Sequence, residues 1–326
     1  MIIAIPPMKA MAQKTWARGE PLTMLDLPTP EPGASEVRVQ VKAIGVNPVD
    51  WKMRNRGPLR LAARLTGPSL PFVPGVDFAG IVDAVGKKVR GVKPGDRVVG
   101  GTNFARGQRG SYADTVIVQE DQLALVPDHL DLTIAGALPV AGVTAWMCIV
   151  EMGKFQAGRK ALVLGASGGV GQLAVQFVKH LGGIAVGVCS GKNVALVRDL
   201  GADEVLDYNQ GDPLEQARGL GPFQIILDCA GGYSPARCRS LLEPGGRHLM
   251  ISSESPGETL QAFLPPFSSK LVLGKPTRER LQPVVDAVAS GAVKVHISET
   301  LPLAEAERAH TLSQGGRLTG KLVLVP

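Results

Sequence analysis

The chain has 326 residues, 44% hydrophobic and 20% charged, enough for a full core and for two domains or one domain inserted into another. Its formal charge of +6 suits an anionic ligand, yet aromatics are only 4% and no dense Lys/Arg run occurs, so nucleic acid is not the expected partner. The 40 glycines and 25 prolines are interspersed with apolar runs, which predicts tight connections and not disorder. Met1–Pro7 is apolar, lacks a basic start and is too short for a signal or membrane segment, so it reads as a small extension ahead of "MKA" at Met8. Cys148, Cys189, Cys229 and Cys238 lie far apart in or next to apolar stretches. Free thiols in a reducing, cytoplasmic compartment are expected, with no membrane partner.

Taken in chain order, Glu36 to about Gln119 reads as short strands broken by turns. Val37, Val39 and Val41 alternate with polar residues, as a half-buried strand requires. Phe78–Val85 is an apolar run closing at Gly86, Lys93-Pro94-Gly95-Asp96 turns into Arg97–Val99, and Tyr112–Val118 is a further strand. Pro68, Pro71 and Pro74 assign the stretch before Gly75 to loop. After Pro127 the period changes. Leu132–Glu151 carries helix-length apolar segments and Lys160–Leu164 is a short apolar strand. Val170, Leu173, Ala174, Phe177, Val178 and Leu181 then form one apolar helix face. Strands at Ile184–Cys189, Glu204–Asp207, Gln224–Asp228 and His248–Ile251 alternate with helices around Val194–Leu200, Leu214–Gly219 and Ala236–Leu242. Gln282–Ala289 and Ala304–Leu312 read as helices, and Lys321–Val325 as a final strand. The alternation predicts an α/β fold with a doubly wound parallel sheet over residues 127–262. Residues 1–126 and 263–326 are expected to fold together as one β-rich substrate domain.

The heptapeptide Gly165-Ala166-Ser167-Gly168-Gly169-Val170-Gly171 sits between a strand and an amphipathic helix, the context that a dinucleotide fingerprint requires. Its glycines permit the turn and the close approach of a pyrophosphate, and the N–H groups at the helix start face the phosphates. An NAD site generally carries Asp or Glu at the end of the next strand, about 20 residues on, for the ribose 2′-hydroxyl. Here Cys189-Ser190-Gly191-Lys192-Asn193 holds no carboxylate. Ser190 and Asn193 can donate to a 2′-phosphate and Lys192 can neutralise it, so the expected cofactor is NADPH.

Further strings accompany this loop: "GVNPVDWK" (Gly45–Lys52), "PGVDFAG" (Pro74–Gly80), "KPGDRV" (Lys93–Val98) and "AGVTAW" (Ala141–Trp146). They continue as "GASGGVGQLAVQ" (Gly165–Gln176), "LGADEVLDY" (Leu200–Tyr208), "DCAGG" (Asp228–Gly232) and "GKLVL" (Gly320–Leu324). In that order, over nearly the whole chain, they resemble the medium-chain dehydrogenase/reductase superfamily, specifically its quinone oxidoreductase branch. The resemblance implies a GroES-like, partly β-barrel substrate domain around a Rossmann domain, with NADPH in the cleft between them. It also implies a homo-oligomer, with a dimer expected. By the same resemblance Ser190, Lys192 and Tyr208 hold the 2′-phosphate, and Cys229, Ala230 and Lys321 lie along the cofactor. Asn47 lines the nicotinamide pocket; Thr144 lies near it or simply packs in its helix.

The alcohol dehydrogenase branch holds catalytic zinc with Cys, His and often Glu. The matching places here are Asn47-Pro48-Val49-Asp50 and Gly75-Val76-Asp77, and Gly100–Asp114 has no cysteine for a structural zinc loop. His129, His180, His248, His296 and His310 lack metal spacing and read as surface or core residues. No metal is expected. Alcohol oxidation needs a Lewis acid or a strong base, whereas hydride addition to a quinone or to an enone β-carbon needs donors at the conjugated oxygen. Asn47 and the indole N–H of Trp51 are the candidate donors. The proton is expected from water, because Trp51 stands where several relatives carry Tyr and an indole is no acid. Asp50 reads as a structural turn residue. Two other functions stay open: enoyl-thioester reduction, for which Arg54, Arg56, Arg60 and Arg64 would form a basic patch unless they are simply a solvated loop, and a non-catalytic NADPH-binding sensor or structural component.

Overall fold

Period-two burial organises the N-terminal part of the chain. The computed structural model describes residues 6–17, 19–55, 57–67, 70–252, 257 and 269–326. Strands β1 (Met8–Ala12) and β2 (Thr23–Leu27) pair antiparallel. Then come β3 (Glu36–Val46), β4 (Asp77–Val85), β5 (Arg97–Gly101), β6 (Thr115–Gln119) and β7 (Leu123–Leu125). In β3, Val37, Val39 and Val41 are buried while Gln40 and Lys42 face solvent, as alternation demands. Two helices, Pro48–Asn55 and Gly57–Thr66, stand where only short strands and turns were expected, and residues 70–74 beyond them carry no helix or strand, as the prolines predict. Proline at the first position of a helix loses no hydrogen bond and presets φ, so Pro48 starts the first of them without cost.

The period then changes to strand and helix in turn. β8 (Lys160–Leu164), β9 (Ile184–Cys189), β10 (Glu204–Asp207), β11 (Phe223–Asp228), β12 (Leu242–Met250) and β13 (Ser269–Leu271) form a sheet ordered β10-β9-β8-β11-β12-β13. Every pairing in it is parallel. Renumbered from β8, this is the 3-2-1-4-5-6 order of dinucleotide-binding sheets, whose reversal lies between β8 and β11. The chain ends with β14 (Ile297–Pro302) and β15 (Lys321–Val325). They return to the N-terminal sheet, giving the order β14-β15-β3-β4-β5-β7 with β6 also on β3.

Two units result: Met1–Val140 with Pro276–Ala289 and Ile297–Pro326, and Ala141–Lys275 with Ser290–His296. The first unit reaches Val140 and not residue 126, because the helix Leu132–Gly136, capped by Asp131, packs on β3, β4, β5 and β15. The expected boundary at residues 262 and 263 lies outside the described residues. Ser290–His296 belongs to the second unit for a reason visible on the helix Gly171–His180. Leu173, Ala174, Phe177 and Val178 are buried as their spacing predicts, each large apolar side chain contributing about 1.5–3 kcal/mol. Gln172 and Gln176 are buried too. Gln176 donates to Lys294 O (2.7 Å) and accepts from Lys294 N (2.7 Å), and Gln172 does the same for His296 (3.2 and 2.7 Å). No helix among the described residues is long and apolar enough to cross a membrane.

Gln176→Leu keeps the volume and removes both bonds to Lys294. Leaving the Lys294 N–H and C=O without partners is expected to cost about 2–4 kcal/mol, read as a lowered urea midpoint of the second unit.

Candidate functional site

In the second unit β8 ends at Leu164 and Gly165 turns with φ +78°, a left-handed value that glycine adopts without strain. A Cβ on Gly171 would lie 2.2 Å from Gly165 O, so the following helix starts this close to the turn only with glycine. A Cβ on Gly168 would meet only Gly165 O, at 3.4 Å. That leaves room above the loop for a phosphate at the start of the helix, where the dipole favours an anion, although the N–H groups of Gln172 and Leu173 already donate to Gly168 O (3.0 Å) and Val170 O (3.1 Å). The segment after β11 runs alongside: the Cβ position of Gly165 is 3.3 Å from Ala230 N. Asp228 Oδ1 fixes that segment by accepting from Ala230 N (3.0 Å) and Gly231 N (2.8 Å). The strand reversal therefore brings Gly165–Gly171, Cys229 and Ala230 together, and these residues fit a dinucleotide. Burial pushes the Cys229 thiol well above its usual range, with Cys148 and Asp228 adding to the shift. It stays a thiol and is no nucleophile. Thr144 is buried on the helix Pro139–Trp146.

At the end of β9, Ser190 is half-buried and Lys192 exposed. Asn193 departs from its expected role: its Nδ2 donates to Ser167 Oγ (3.0 Å) and its side chain is buried. It braces the turn after β9 against the glycine loop. Tyr208 is exposed, and its N–H donates to Cys189 O (3.2 Å), which places it beside the turn. Sequence spacing missed Asp207. Parallel pairing sets it opposite Cys189, so a carboxylate stands at a turn whose own residues carry none. The signal was the strand pair itself, since two adjacent parallel strands end at the same edge.

The first unit buries a polar cluster under β3. Lys321, on β15, donates its ammonium to Val46 O (3.0 Å) and Asn47 Oδ1 (2.6 Å), with Asp77 Oδ2 at 3.6 Å. Asp77 Oδ1 accepts from Val140 N (2.9 Å). Burial pushes the Asp77 carboxyl up and the Lys321 ammonium down from their ordinary values, and their attraction opposes both shifts. A directed chain of hydrogen bonds runs behind this pair. Arg54 Nη1 can only donate, so His310 Nδ1 accepts it (2.7 Å) and His310 Nε2 carries the proton. Nε2–H then donates to Tyr112 Oη (3.0 Å), whose own proton goes to Asp50 Oδ2 (3.4 Å). Asp50 Oδ2 also accepts from Asn47 N (2.8 Å). His310 remains neutral at ordinary pH, being lowered to about 3 by burial and by Arg54.

Both candidate donors to a substrate oxygen are already engaged. Asn47 is buried, with Oδ1 on Lys321 and Nδ2 donating to Gly45 O (3.3 Å). The Trp51 indole N–H donates to Ser313 Oγ (3.1 Å). The charge of Lys321 is answered inside its own unit, so it is a brace of Asn47 before it is a cofactor contact. The four arginines named for a basic patch or a solvated loop have different surroundings. Arg54 is buried on His310, Glu20 O and Glu307, Arg60 bonds Trp16 O, Arg64 is exposed, and Arg56 lies outside the described residues. No group of three or more His, Cys, Asp or Glu among the described residues is placed to hold a metal ion. At Asn47 and Asp77 a zinc ion would meet one carboxylate, one amide and a buried ammonium, which does not fit a tetrahedral site.

Burial pushes the Asp50 carboxyl up to about 8 against the Asn47 N–H bond that lowers it, with Asp77 raising it and Lys321 lowering it. The folded chain thus keeps a proton that the unfolded chain releases above its usual value. The resulting stability is fully present below about pH 4 and is lost as pH rises through about 8. Asp50→Asn abolishes this titration, so its urea midpoint relative to wild type should rise between about pH 5 and about pH 8.5. A constant difference would show that Asp50 is ionised throughout.

Two family descriptions match the chain: "Alcohol dehydrogenase GroES-like domain" over residues 33–128 and "Zinc-binding dehydrogenase" over residues 200–324. The chain is 32% identical over 321 residues to a chloroplast envelope quinone oxidoreductase homolog of Arabidopsis thaliana, covering 94% of each chain. It is 29% identical to the human mitochondrial NAD(P)H oxidoreductase RTN4IP1, covering 89% of this chain and 81% of that one. Among solved structures, the quinone oxidoreductase from Coxiella burnetii superposes with a TM-score of 0.88 at 28% identity, covering 98% and 99% of the two chains. Sheet order, glycine loop and relatives agree: the chain is a nicotinamide-dependent oxidoreductase that belongs to the quinone oxidoreductase branch of the medium-chain dehydrogenase/reductase superfamily.

Proposed function

We propose that this oxidoreductase uses NADPH to reduce quinones or α,β-unsaturated carbonyl compounds without zinc. The observation that carries the reading is the turn after β9. Lys192 stands exposed on it, Ser190 opens it, and Asn193 ties it to the phosphate loop through Ser167. A phosphate on the adenosine ribose would find a cation and a hydroxyl there. When bound, the nicotinamide supplies a hydride to the acceptor. The glycine loop holds the pyrophosphate, and Asp228 keeps the Cys229–Ala230 segment beside it. The first unit contributes a closed hydrogen-bond chain in which Asn47 Nδ2 already donates to Gly45 O and the single Trp51 indole N–H is taken by Ser313. This supports water as the source of the proton that follows the hydride. It also favours acceptors whose charge is spread over a conjugated system, because they ask least of a protein donor. The carboxylate of Asp77 answered by Lys321 supports the zinc-free reading.

Oxidation of NADPH, followed by absorbance with a panel of quinones, alkenals and enoyl thioesters, tests the reading. Turnover is expected with quinones or alkenals, and its insensitivity to chelators is expected with it. No turnover with any acceptor despite tight NADPH binding would favour a sensor instead. Lys192→Ala should raise the KM for NADPH about ten-fold, as loss of a charge-assisted contact does, and leave the KM for NADH nearly unchanged.

A further inference from the structure

The ribose turn has a second charged neighbour, and it is of the opposite sign to Lys192. Asp207 closes β10 opposite Cys189 of β9. Its Oδ1 accepts from Asn209 N (2.9 Å) and Asn209 Nδ2 (2.8 Å), which fixes the orientation of the carboxylate. Its Oδ2 is thereby turned onto Gly191: a Cβ built there would lie 2.6 Å from Oδ2 and 3.8 Å from Oδ1. Gly191 is the residue between Ser190 and Lys192, so the carboxylate lies against the middle of the turn proposed to read the ribose. Absence of a side chain at Gly191 is what lets it come so close. Ordinary dinucleotide sites place their acidic residue at the end of the strand after the glycine loop; here that place is vacant of acid and the next strand supplies one.

We propose that Asp207 is a specificity-determining residue that lets this site accept NADH as well as NADPH. The proposal rests on the reading that the Ser190–Asn193 turn binds the adenosine ribose. A carboxylate accepts a charge-assisted bond from a ribose 2′-hydroxyl and repels a 2′-phosphate, while Lys192 does the reverse. The two side chains flank one glycine, so the cofactor preference is their difference. A site with Lys192 alone would select NADPH strongly; the neighbouring carboxylate makes that selection modest.

The test measures dissociation constants of NADPH and NADH by quenching of protein fluorescence, with no acceptor present, for wild type and three variants. Asp207→Asn keeps an acceptor for Asn209 and removes the charge. It is expected to shift the NADPH-to-NADH affinity ratio about ten-fold toward NADPH, the size of one hydrogen bond to a charged group. Gly191→Ala, whose methyl displaces Oδ2 without altering charge, is expected to weaken NADH more than NADPH. Lys192→Ala serves as the separate check on the turn itself and is expected to shift the ratio toward NADH. An unchanged ratio in Asp207→Asn, with Lys192→Ala shifted, overturns the role of Asp207. Unchanged ratios in both overturn the ribose-turn reading. Unaltered thermal unfolding of Asp207→Asn, followed by circular dichroism, shows that any shift comes from charge.

Discussion

An ammonium group enclosed in protein must be neutralised where it sits, and the first unit is arranged around that demand. Lys321 reaches the interior because β15 lies against β3, and its ammonium ends on Val46 O, Asn47 Oδ1 and the Asp77 carboxylate. Removing either charge would strand the other, a loss of about 3–5 kcal/mol for a buried pair. With Asp77 so used, a second ionised carboxylate close by would be uncompensated. Asp50 answers by keeping its proton, and it is held by Tyr112 and the Asn47 N–H. The chain of donors from Arg54 through His310 fixes which way each proton points. What looks like an assembly of acids and bases in a list of residues is a set of braces for β3 and for the helix Pro48–Asn55.

The second unit obeys a different constraint, that of topology. A parallel sheet that winds outward from β8 in both directions leaves a gap in its covering loops at the reversal. The glycine loop and the Cys229–Ala230 segment meet there, one after β8 and the other after β11. Parallel pairing also carries the ends of β9 and β10 to the same edge, which is why the Asp207 carboxylate lies against Gly191, the residue before Lys192.

Much of this was legible in the residues. The glycine loop stands out by its place between an apolar strand and a periodic helix, and Glu204–Asp207 and Lys321–Val325 are strands with the bounds their hydrophobic runs suggest. β1, β2 and β14 were not visible, because short edge strands with mixed residues carry weak alternation and are decided by their partners. The helices Pro48–Asn55 and Gly57–Thr66 fall within a stretch read as short strands and turns, because each is too short to show a clear period. Side-chain destinations were the least legible. Asn193 and Trp51 have donors that suit a ligand, and only tertiary structure shows that Ser167 and Ser313 take them. Gln172 and Gln176 lie outside the apolar face read from the helix spacing, yet they are interior residues holding a distant segment.

The return of β14 and β15 to the N-terminal sheet sets a timetable for synthesis. Every strand of the second unit lies between residues 160 and 271, and its last segment ends at His296. The first unit begins earlier but lacks two strands of its sheet, and the Lys321 ammonium, until residue 325 has been made. On the ribosome, therefore, the part begun first is finished last. Asp77 and Asn47 wait for their cation until residue 321 has been made, by which point the nucleotide-binding sheet can already be complete.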